Sequence, residues 1–192
     1  MKHPPLLRRI VTILLLYVYL ANCIHAATLK GYWEFSSAAS GGAFAGVAAN
    51  GVAAPNLVIE GTAPTYYATL ADDGGASLSG VIKTVTGTAN RLRLTHGISP
   101  NGGSTSYVNN YTLMFDIFSP TASRSSWRSF YQTNTTNGND AEYFIRNSDD
   151  KLGTAALVYS SSAIDETRWK RVVISVNLGT SIKTYVLSLI HI

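Results

Sequence analysis

An all-β fold, an antiparallel β-sandwich, is predicted by three features of this 192-residue sequence. Tyr111, Leu113, Phe115 and Ile117 alternate with Asn110, Thr112, Met114 and Asp116, the period of two expected of a strand with one buried face. Comparable short runs recur along the chain, separated by turns rich in Gly, Ser and Asn. No stretch keeps a helical apolar period for three turns. Many closely spaced strands without intervening helices argue for a sandwich or barrel.

Taken in order, the chain opens with Lys2, Arg8 and Arg9, runs through apolar residues from Ile10 to Leu20, and reaches a small-residue exit at Ala26. That run is too short for the roughly 20 residues needed to span a bilayer, but charge, apolar core and exit match a secretory signal peptide over 1–26. A secreted or cell-surface location follows, with no membrane span after cleavage. The only cysteine, Cys23, lies inside the signal, so neither a disulfide nor a zinc–thiolate site is expected in the mature chain. The formal charge of +4 also shrinks, because removing the three leader cations leaves 12 basic against 11 acidic residues. So balanced a surface excludes nucleic acid as the expected partner. About 160 mature residues fit one domain with a substantial core.

Leu29–Phe35 is rich in strand formers and is the first expected strand. From Ser36 to Pro55 small residues dominate, which reads as a long surface loop with too little side-chain volume to anchor a core. Strands are expected at Asn56–Glu60, Tyr66–Leu70, Ala76–Val85 and Asn90–Thr95, the last with its leucines inward and its arginines outward. Asp72 to Gly75 is a turn. Tyr107–Ile117, Trp127–Gln132, Glu142–Arg146, Leu152–Tyr159 and Trp169–Leu178 complete the set, with Asn147–Asp150 as a tight turn. Trp33 and Trp169 are expected in the core.

Residues 187–192 stand apart. Leu187 to Ile192 resembles the translation of a transposon end used in sequencing libraries, so the native frame is expected to be lost near Val186 and 187–192 to be a non-native tail. The competing reading is a genuine apolar last strand.

Gly31 to Phe35, Leu94 to Ile98, Asn110 to Asp116, Phe130 to Thr133, Asn139-Asp140 and Trp169 to Val176 occur in the order seen in laminin-G-like domains, and the chain resembles that family over Leu29 to Val186. The resemblance implies a concanavalin A-like jelly roll over 27–186, incomplete at its C-terminal end, since Leu187 stands where the family places an Asp after its Tyr-Val pair. It further implies a non-catalytic binding or adhesion module for carbohydrate or extracellular protein, often one part of a larger protein and here with further domains lost by truncation. The alternatives are a glycoside hydrolase-like jelly roll or a structural spacer domain of a larger surface protein. Such sandwiches often carry a calcium ion on the rim.

Glycoside hydrolysis requires two suitably spaced carboxylates. The Glu-x-Asp-x-x-Glu string of glucanases that share the architecture is absent, and Asp140 with Glu142 reads as a solvated loop edge. His96 sits in a Gly/Pro turn without a nucleophile motif. No catalytic residue is therefore expected. Calcium takes oxygen ligands, which Asp72-Asp73, Asn137 to Asp140 and Asn147 to Asp150 could offer, with Asp140 preferred. Sugar binding needs an aromatic platform ringed by polar groups. Trp127, Tyr131, Tyr143 and Tyr159 flank loops rich in Asn and Ser, and Trp127, Tyr131, Asn139 and Asp140 are the candidate ligand residues. Asn110 and Asn134 each begin an N-glycosylation acceptor pattern, with Asn134 preferred.

Overall fold

The computed structural model describes residues 28–48, 53–85, 87, 89–120, 125–133, 143–154, 159–164 and 167–188. Every regular element among them is a strand: β1 (Ala43–Phe44), β2 (Leu57–Glu60), β3 (Thr65–Ala71), β4 (Ser77–Lys83), β5 (Arg91–Leu94), β6 (Asn110–Ile117), β7 (Arg128–Tyr131), β8 (Tyr143–Ile145), β9 (Lys151–Gly153), β10 (Tyr159–Ala163), β11 (Lys170–Asn177) and β12 (Ser181–Ser188). They form antiparallel sheets in the orders β12-β11-β6, β10-β9-β8-β7, β1-β2-β5 and β3-β4. The architecture is all-β and compatible with a β-sandwich. No helix among the described residues is long and apolar enough to cross a membrane.

The core lies between the first two sheets. On β11 the alternation of Val172, Ile174 and Val176 with Arg171, Val173 and Ser175 sends the first three inward, where Val172 and Ile174 are fully buried. They meet Tyr143 and Ile145 of β8 and Leu152 of β9, with Tyr111, Phe115 and Ile117 of β6 packed alongside. Each fully buried aliphatic side chain of this set contributes about 1.5–3 kcal/mol. β11 pairs in register along its whole length with β6 on one side and β12 on the other. β12 continues past Val186, with Leu187 opposite Arg171.

The β3-β4 hairpin is joined to this core chiefly through one carboxylate at its turn, together with a backbone bond from the Asp73 N–H to the Thr167 carbonyl. Asp72, at the hairpin's turn, is buried and accepts the N–H groups of Gly74 and Ala76 at 2.9 and 3.0 Å, together with that of Trp169 at 3.0 Å. Trp169 is buried as expected, and its indole N–H donates to the Leu70 carbonyl.

Several strand expectations need correction. Leu29–Phe35 is not a strand; only an isolated bridge, Tyr32 to Val47, pairs it. Side chains fix it instead: Trp33 donates its indole N–H to the Pro55 carbonyl, and Phe35 stands edge-on to Phe44 at 5.0 Å. Trp33 itself is only half-buried. The segment from Ser36 to Pro55 is not merely a surface loop, because it holds β1 and buries Phe44. Its small residues serve close approach: a Cβ on Gly46 would lie 2.6 Å from the carbonyl oxygens of both Ala54 and Pro55. The expected Leu152–Tyr159 strand resolves into β9 and β10, paired with each other. β6 begins at Asn110 rather than Tyr107, because the preceding loop is tied by Asn101, whose side chain accepts the N–H groups of Asn109 and Asn110.

Candidate functional site

Period-two geometry sets the site. Tyr143 and Ile145 of β8 point into the core, so Phe144 points out, as do Lys151 and Gly153 on either side of the buried Leu152. Strand register then lines up Ser129, Phe144, Gly153 and Tyr159 in one row across all four strands of the β7–β10 sheet. Gly153 offers no side chain, and the rings of Phe144 and Tyr159 approach to 6.1 Å across it. Trp127, just before β7, stands edge-on to Phe144 at 4.8 Å. Phe144 is thereby covered, while Trp127 remains 53% exposed. A large ring fixed on a buried ring yet open to solvent is a ready stacking surface.

Arg146, two residues beyond Phe144, shares this outer face. Its guanidinium lies 4.0 Å from the Tyr159 ring centroid, a cation–π contact, and it grips Asp149 with Nε at 2.7 Å from Oδ1 and with Nη2 on Oδ2. The hydrogen bonds from Arg146 hold the Asp149 carboxyl below the usual aspartate range, and Asp149 in turn raises the Arg146 guanidinium. Lys151 Nζ lies 3.9 Å from Asp149 Oδ2, an ion pair beyond hydrogen-bond reach. The turn that delivers Asp149 closes through Asp150, which adopts the left-handed conformation at φ 55° and pairs with Arg128. Arg128 also donates to Ser119 at 2.7 Å.

Of the sequence candidates, Trp127 lies on this face. Tyr131 does not: it stacks parallel to Tyr143 at 6.4 Å against the core, with its hydroxyl 3.3 Å from that of Tyr111. A register irregularity in β7 between Ser129 and Tyr131 turns both Phe130 and Tyr131 toward the core. Asn139, Asp140, Glu142 and Asn134 lie outside the described residues. Tyr159 and Arg146 complete the face in their place. The spacing of Phe144 and Arg146 was a visible signal for Arg146, whereas the position of Tyr159 depends on the break between β9 and β10.

In two of the turns considered for calcium, Asp72, Asp149 and Asp150 are committed otherwise. Asp72 holds backbone N–H groups, and Asp149 and Asp150 hold arginines. Among the described residues no three His, Cys, Asp or Glu side chains gather where they could hold a metal. His96 accepts the Ile98 N–H at Nδ1, a turn contact. Asp116, on the outer face of β6, makes a two-pronged pair with Arg171 at 2.7 Å for both bonds.

Comparison with protein-family models, with curated proteins and with solved structures finds no match in any of the three.

Proposed function

We propose that this chain is a secreted, non-catalytic glycan-binding module on a concanavalin A-like jelly roll, and that the glycan lies on the outer face of the β7–β10 sheet. The observation that carries the reading is Trp127, fixed on Phe144 yet half open to solvent, with Tyr159 on the other side of the same Phe144 ring. A pyranose presents an apolar C–H face that packs on such rings, while its hydroxyls seek polar groups at the margin. The jelly-roll assignment is supported by two antiparallel sheets that share one core, with β11 central. The non-catalytic part of the proposal rests on the sequence, which lacks the Glu-x-Asp-x-x-Glu string of glucanases that share the architecture.

The test is a glycan array followed by titration calorimetry on the purified protein and on Trp127→Ala. Binding is expected to weaken at least about tenfold in the variant, with unfolding nearly unchanged. A blank array, or binding indifferent to Trp127→Ala, overturns the proposal.

A further inference from the structure

We infer that the glycan taken by this face is acidic, a chain of pyranose rings bearing carboxylates, with a ring on Trp127 and its carboxylate against Arg146 and Lys151. This rests on the glycan-binding reading above and names its ligand class. The ground is a donor and acceptor inventory of the face. The Trp127 indole can only donate, and neither it nor the Tyr159 hydroxyl has a protein hydrogen-bond partner among the described residues. Arg146 engages Asp149 through Nε and Nη2, which leaves the two N–H groups of Nη1 without an acceptor. Lys151 is close enough to Asp149 for attraction but not for a hydrogen bond, so its ammonium donors also remain available.

Among the described residues of the face, side-chain acceptors are scarce by comparison. Asp149 is the one carboxylate among these groups, and both its oxygens already receive Arg146. Two cations therefore face one anion, and the unclaimed side-chain groups are donors, apart from hydroxyls that can act either way. A neutral sugar brings about as many donors as acceptors and would leave part of this set unmatched. A uronate brings a pure acceptor with a negative charge, which complements both the excess charge and the donor bias. Arg146 is also held in place by Tyr159 and Asp149 before any ligand arrives, so little side-chain freedom is lost on binding.

The experiment compares oligogalacturonate, oligomannuronate and oligoglucuronate with their carboxyl-reduced counterparts, which keep the rings and linkages but lack the charge. Calorimetry at low and moderate salt is run on the wild type, Arg146→Gln and Lys151→Gln, each first checked for a cooperative unfolding transition. At least one acidic form is expected to bind about tenfold more tightly than its reduced partner, with the preference shrinking as salt rises. Either glutamine variant should bring that ratio down toward one. If neutral glycans bind and no acidic form is preferred, the inference is overturned while the glycan-binding reading stands. Equal or tighter binding of dextran sulfate overturns the carboxylate assignment in favour of charge alone. If no glycan of any kind binds, the underlying function is wrong, and the inference falls with it.

Discussion

The inner and outer faces of the β7–β10 sheet use similar residues to opposite ends. Inside, the hydroxyl of Tyr131 meets that of Tyr111, and the hydroxyl of Tyr143 meets Thr184. Outside, Trp127, Tyr159 and Arg146 Nη1 retain polar groups that nothing among the described residues takes up. The aromatic content of a strand therefore does not separate packing from recognition. What separates them is whether the polar tip of each ring is satisfied within the protein, because an unsatisfied buried donor is costly and an exposed one is free to bind.

The largest way to break that comparison is to truncate one residue on each face. Leu152→Ala should destabilise the protein by about 2–5 kcal/mol through lost burial and a residual cavity, read from urea unfolding. Trp127→Ala should change unfolding by less than about 1 kcal/mol. Equal losses would make the outer face a second core.

Acid sharpens the same contrast through Asp72. Burial opposes its ionisation, but the N–H groups of Trp169, Gly74 and Ala76, with Arg168, outweigh it and hold the carboxyl below the usual range. An unfolded chain therefore binds the proton more readily, so the stabilisation is complete above about pH 5 and is lost as pH falls below about 4. The Asp72→Asn variant should be less stable at neutral pH and lose less on acidification, measured by thermal unfolding across pH 3–7. An identical acid dependence would remove Asp72 as the anchor of the hairpin.

A smaller effect belongs to Tyr143→Phe, which removes the bond to Thr184 and should cost about 1 kcal/mol without altering glycan binding. Burial pushes the Tyr143 hydroxyl pKa up, the Thr184 hydrogen bond only partly offsetting it. It is thus an inner-face group, and a binding defect in the variant would blur the division between faces. Smallest is Asp116→Ala. Its pair with Arg171 lies on an exposed surface, and loss of about 0.5 kcal/mol is expected, vanishing at high salt.

Much of the fold was legible in the sequence because one buried face per strand imposes a period of two. β6 and β11 follow it residue by residue, and their inward sets were readable. Legibility failed where position depends on something other than period. Leu29–Phe35 has strand composition, yet its course is fixed by the Trp33 to Pro55 bond and the Phe35–Phe44 contact, partners 22 and 9 residues away that no local pattern announces. Tyr131 was misplaced relative to Trp127 because an irregularity in β7 changes which side a residue faces. The site was half-legible for a related reason. Trp127 and Tyr159 stood out as aromatics, but bringing both against Phe144, Tyr159 across Gly153, requires the register of the strands between them.

β11, central in its sheet, also orders events during synthesis. Its inner residues pack on β8 and β9 and its backbone pairs with β6, yet it leaves the ribosome well after all three. At typical elongation rates of about 5–20 residues per second, the hydrogen-bonding edge of β6 that β11 will take waits on the order of several seconds for its partner. For that interval β6 presents an unpaired backbone edge, the kind of segment that chaperones bind and that sticks to neighbouring nascent chains. The late position of one strand thus makes the yield of folded protein sensitive to translation speed and to holdase supply, independently of how stable the finished sandwich is.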